Sequence, residues 1–182
     1  GDKIIYNDGT EYTAYIKGRT SPTVYLVQTA TGAAAANATG ATVTSITRSF
    51  NSLYAAEDGA DDLLGTANLV TGNYRLNISC YADGADTTRL TIDGWTTGHD
   101  NYIKIYTPIL SSEVGASQRH TGKWDDNAYR ITADPGGYTY GVISVWDAHV
   151  KIEGLQIWTN AVAGDDRYCL SFDAPVGFII DI

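Results

Sequence analysis

The sequence predicts an all-β protein, a right-handed parallel β-helix with an N-terminal β segment and one capping α-helix. A β-sandwich is the alternative. Three observations carry this. First, tyrosine (13), threonine, valine and isoleucine are abundant, and these side chains suit a pleated, half-buried surface. Second, from Asn68 onward short strand-like runs alternate with turn material: Asp83-Gly84, Asp93-Gly94, Pro135-Gly136-Gly137 and Gly164-Asp165-Asp166. Third, Asp147-Ala148-His149-Val150 recurs as Asp173-Ala174-Pro175-Val176, 26 residues on. A fixed period with several short strands per period is what stacked coils require. A sandwich shares the strand and turn pattern but not the recurring Asp-Ala-x-Val.

The elements follow in chain order. Lys3–Tyr6 and Thr10–Ile16 flank Asn7-Asp8-Gly9, a hairpin signal because glycine tolerates positive φ. Thr23–Thr29 is a further strand. Residues 29–42, rich in Ala, Gly and Thr, read as a surface connection. A helix is expected from Ser45, because Ile46, Phe50, Leu53 and Tyr54 form one apolar stripe. Thr44 or Ser45 would cap its start and Gly59 would stop it, leaving Asp61 and Asp62 in the loop beyond. Its apolar face would cover the open end of the β stack. Strands are then expected at Tyr74–Tyr81, Thr88–Ile92, Tyr102–Tyr106, Tyr129–Thr132, Val142–Val145, Val150–Ile157, Tyr168–Phe172 and Phe178–Ile182. Thr91-Ile92-Asp93-Gly94-Trp95 echoes Lys151-Ile152-Glu153-Gly154-Leu155 as a second hint of repetition. The chain divides into residues 1–42, the N-terminal β segment and connection, and residues 43–182, the helix and first coils.

Several runs carry a resemblance: Ser45–Leu53, Leu90–Thr97, Asn101–Pro108, Ser117–Trp124 and Val150–Leu155. They resemble right-handed parallel β-helix repeat proteins of phage and environmental microbial genomes, over roughly residues 43–160. The resemblance implies further coils after Ile182. It implies little about activity, because such proteins are mostly uncharacterised.

The net charge of −9 argues against nucleic acid as a partner, since phosphate binding needs a positive field. No apolar run approaches a membrane span, so membrane insertion is not expected. Cys80 and Cys169 lie in strand-like runs and read as two buried free thiols. There is no Gly-x-Ser-x-Gly, no nucleotide-binding glycine loop, and no metal-ligand spacing around His99, His120 or His149.

The expectation is therefore a non-catalytic structural or adhesive module of a virion tail, cell surface or extracellular assembly. Its partners would be copies of itself and surface polysaccharide, with no cofactor. Trp95 and Trp124 follow glycine-containing turns and are candidates for carbohydrate contact, because an exposed indole offers a flat apolar face. Trp146 and Trp158 lie in strands, where one can point inward and pack. The alternative is a carbohydrate-active β-helix enzyme, lyase or hydrolase. Arg119, His120, Lys123, Asp125 and Asp126 supply the residue types a lyase needs: acids to hold calcium and a base to take the proton beside a uronate. Asp125, Asp126, Asp165 and Asp166 are the calcium candidates, as oxygen ligands. The strand Phe178–Ile182, with Phe178, Ile179, Ile180 and Ile182, would leave an unpaired apolar edge suited to assembly.

Overall fold

The computed structural model describes residues 1–135, 140–160 and 167–173. The chain opens with β1 (Lys3–Asn7), β2 (Glu11–Ser21), β3 (Val24–Gln28) and β4 (Thr42–Thr47). They form one antiparallel sheet in the order β3-β2-β1-β4. The expected hairpin is its centre: Asn7 stands opposite Glu11, and Gly9 takes φ 114° in the turn.

β4 occupies the segment expected to begin the helix. Val43, Thr44, Ile46 and Thr47 are β-branched, and an edge strand opposite β1 lets them pack on a pleated surface. Ile46 accordingly stands half exposed and covers no core. The helix begins eight residues after Ser45, as α1 (Leu53–Leu64). Ser52 caps it by accepting the Ala55 N–H at 3.0 Å, and Gly65 ends it with φ 71°. Gly59 lies inside α1 rather than after it. A Cβ there would stand 2.8 Å from Phe50 Cε1, so the glycine is what lets Phe50 lie against the helix. Asp61 and Asp62 are helical too. A second short helix, α2 (Leu69–Gly72), follows.

The remaining strands are β5 (Leu76–Ser79), β6 (Ala85–Asp86), β7 (Leu90–Ile92), β8 (Ile103–Tyr106), β9 (Arg130–Ala133), β10 (Gly141–Val145), β11 (Val150–Glu153), β12 (Gln156–Thr159) and β13 (Tyr168–Phe172). They make three parallel three-stranded sheets: β13-β10-β7, β11-β8-β5 and β12-β9-β6. Strand alternation sends every second side chain inward. In β8, Ile103 lies between Leu76 and Val150, and Ile105 between Ile78 and Ile152. Leu90, Ile92, Ile131, Ile143 and Val145 join them in one continuous core, all fully buried. Each such side chain contributes roughly 1.5–3 kcal/mol by leaving water.

The fold class is therefore corrected. Among the described residues, one antiparallel four-stranded sheet, three small parallel sheets and two short helices replace the all-β right-handed parallel β-helix with a single cap. The sandwich alternative is corrected as well, because β5 to β13 pair in parallel. Val150–Ile157 is two strands broken at Gly154, where φ is 71° and a Cβ would strike the Arg119 guanidinium. The echo between Thr91 and Lys151 is not a pairing: Thr91 pairs with Ser144, and Lys151 with Lys104. Phe178–Ile182, the second Asp-Ala-x-Val beyond Asp173, Asp165 and Asp166 lie outside the described residues.

Candidate functional site

On the sheet β12-β9-β6, register determines what faces outward. Ile157 pairs with Ile131, which is fully buried. Alternation then turns Gln156 and Trp158 to the outer face, beside Arg130 and Thr132. The long connection from β8 to β9 folds back over this face. Gln156 holds it there: its side-chain oxygen accepts the Asp125 N–H at 2.6 Å. Its amide donates to the Asp125 and Tyr129 carbonyls at 2.8 and 3.2 Å. Gln156 is buried, so these bonds replace all the water it gave up.

This pinning brings Trp124 against Trp158. The ring centroids are 5.8 Å apart with planes inclined at 66°, an edge-to-face corner. Both indoles stay open to solvent, Trp124 at 48% and Trp158 at 58% relative exposure. The rim is polar. Asp126 accepts the Trp124 indole N–H at 3.1 Å, and its carboxylate lies 3.5 Å from Arg130 Nε. Arg130 also donates to the Asp126 carbonyl. The corner thus pairs two apolar faces with a carboxylate and a guanidinium, the mix that orients a polar ligand with apolar flanks.

Of the expected residues, Trp124 stands at this site. Trp95 does not: it is buried, its indole N–H donates to Glu57 at 3.0 Å, and its backbone N–H donates to Asp147 at 2.9 Å. Trp158 is more exposed than any other large apolar side chain among the described residues. Trp146 stacks on Tyr140 with centroids 6.1 Å apart.

The residues weighed for lyase chemistry make separate local bonds. Arg119 donates to the Thr107 hydroxyl and carbonyl at 3.0 and 3.3 Å and lies 3.9 Å from Glu153, across the ends of β8 and β11. His120 accepts the Gly122 N–H through Nδ1 at 3.0 Å. Asp125 closes its own turn by accepting from Asn127. Asp126 serves Trp124 and Arg130, and Lys123 is exposed on the preceding loop. Among the described residues no three His, Cys, Asp or Glu side chains gather as metal ligands.

A cavity of about 430 Å³ lies between α1, β5 and the N-terminal sheet. Cys80, Asp86 and Tyr129 line part of it. Asp86 accepts the Leu53 N–H at 2.6 Å, the Thr88 N–H at 3.3 Å and the Tyr129 hydroxyl at 3.4 Å. It therefore anchors a free N–H at the start of α1. Burial pushes the Cys80 thiol up to about 12, which keeps it protonated and unreactive. Cys169 is exposed rather than buried, and both thiols are free. Among the described residues no helix is long and apolar enough to cross a membrane.

Sequence reasoning missed Trp158, Gln156 and Arg130. The available signal was Gln156 itself, a polar residue beside Leu155 and Ile157 in a strand. No protein-family model matches the chain, and neither a curated protein nor a solved structure matches it.

Proposed function

We propose that the chain is a non-catalytic adhesive module of an extracellular, cell-surface or virion assembly, contacting carbohydrate through the Trp124–Trp158 corner. The observation that supports this is the pair itself: two indoles left open to water and fixed at 5.8 Å by the Gln156 bonds. Keeping such large apolar faces wet is unfavourable, and a ligand that covers them recovers that cost. The C–H face of a pyranose ring fits an indole, while its hydroxyls suit Asp126 and Arg130. Because the rings meet edge to face, they cradle the end or side of a sugar rather than a long flat chain. The scattering of Arg119, His120 and Asp125 onto separate structural bonds supports the binding reading over the lyase reading.

Glycan-array screening followed by calorimetry with the best glycan tests this. Trp124→Ala and Trp158→Ala should each weaken binding about tenfold or more, the loss expected of a buried aromatic anchor. Phe at either position should recover part of it. Binding to no glycan, or binding indifferent to both substitutions, would overturn the proposal. Release of unsaturated uronate from a polysaccharide would instead favour an enzyme.

A further inference from the structure

We infer that two copies of this chain associate through the free edge of β3, joining their N-terminal sheets into one continuous sheet around a two-fold axis. The argument begins with charge. From Thr20 to Thr47 no residue is charged, in a chain of net charge −9. That stretch holds both edge strands of the sheet and the connection between them. Two strongly acidic copies repel wherever their carboxylates approach within a Debye length, roughly 8–10 Å at physiological salt. The uncharged flank is where they can meet without that repulsion.

The edges themselves decide which strand pairs. Natural sheets protect edge strands with charges, prolines or bulges, because an open row of N–H and C=O groups recruits another strand. β4 is protected: its register against β1 shifts between Ile5 and Tyr6, leaving Thr44 as a bulge. β3, with the sequence Val24-Tyr25-Leu26-Val27-Gln28, carries no charge and no proline. Val24, Tyr25 and Leu26 are 51, 41 and 48% exposed. Among the described residues its outer side meets only Ala34, opposite Gln28, so Val24–Val27 remain open.

A second copy is the occupant this edge fits. A two-fold axis perpendicular to the sheet sets β3 against the partner's β3 antiparallel, continuing the antiparallel order of the sheet. With the axis at Leu26, Leu26 stands opposite the partner's Leu26 and Tyr25 opposite the partner's Val27. Tyr25, Leu26 and Val27 then each gain an apolar neighbour across the axis. The paired segment is short, so association depends on concentration. The carbohydrate corner is not needed for this contact.

Sedimentation velocity over a concentration series tests the inference. The wild-type chain should shift from the mass of one chain, 19.6 kDa, to twice that value. Leu26→Lys and Leu26→Glu should each hold the mass at one chain, and an equimolar mixture of the two should restore the dimer. That rescue separates lost pairing from lost folding. Val43→Lys, on β4, should leave the dimer intact. A wild-type chain that stays monomeric would overturn the inference. So would a dimer insensitive to Leu26→Lys, or one broken by Val43→Lys instead.

Discussion

Trp95 and Glu57 show how one residue's environment sets its role. Glu57 on α1 accepts the Trp95 indole N–H at 3.0 Å, while Asp147 accepts the Trp95 backbone N–H at 2.9 Å. Burial raises the pKa of both carboxyls above the ordinary range, and the Asp147 charge adds to the effect at Glu57. A carboxyl whose folded pKa is raised holds its proton more tightly in the folded chain. Its contribution is then most favourable where both states are protonated, and it declines as pH rises through the unfolded and then the folded value. Glu57→Gln keeps an oxygen for the indole and removes the charge. The variant should therefore gain in melting temperature over wild type as pH rises from the ordinary carboxyl range towards neutrality, because burial raises the Glu57 pKa. Thermal unfolding across that range checks it; a constant difference would remove the role of burial. The same indole explains a misreading of sequence. A glycine-containing turn before Trp95 suggested exposure, but whether an indole is wet depends on what packs beside it, here α1.

At the scale of elements, α1 shows where periodicity misleads. The apolar stripe Ile46, Phe50, Leu53 spans a strand, a turn and a helix start. Spacing alone cannot register that β1 offers Val43–Thr47 a pairing partner, since that partner is some forty residues away in the chain. Nor can it foresee that a helix tolerates Gly59. In an open helix Gly→Ala gains roughly 1 kcal/mol. Here the added Cβ would meet Phe50 at 2.8 Å. Gly59→Ala should therefore lower stability, by about 1–3 kcal/mol if the ring must move as in an overpacked core. In a Phe50→Ala background the same substitution should raise stability relative to Phe50→Ala alone. Denaturant unfolding of the four variants gives the coupling directly.

For the molecule as a whole, Arg48 joins the N-terminal sheet to the parallel sheets. Its guanidinium grips Asp83 with two nitrogens, donates to Asp2 at 2.7 Å, and lies 3.6 Å from the centre of the Tyr81 ring. The bonds to Asp83 and Asp2 raise its pKa further, so it stays charged at every working pH. A planar fork that stacks and binds two carboxylates is not replaced by an ammonium. Arg48→Ala should speed hydrogen exchange in β1 and β2 while leaving β8 and β10 protected, with Arg48→Lys intermediate. Uniform acceleration across all sheets would show that the clamp instead supports the entire fold.

The sequence alone determined the β-rich character, the hairpin at Asn7-Asp8-Gly9, most strand positions from Leu76 to Phe172, and Trp124 as an open aromatic residue. These depend on local quantities: β-branched runs, alternation, and glycine where φ turns positive. Only the tertiary structure decided that the strands divide among four separate sheets, that Ile46 lies in a strand, and that Trp95 is buried while Trp158 is wet. It alone brought Trp124 to Trp158, through Gln156 bonding to Asp125 about thirty residues away. The physical reason is common to all of these. Sheet partners, buried hydrogen bonds and ring contacts are agreements between distant segments, and no single window of sequence contains both sides of the agreement.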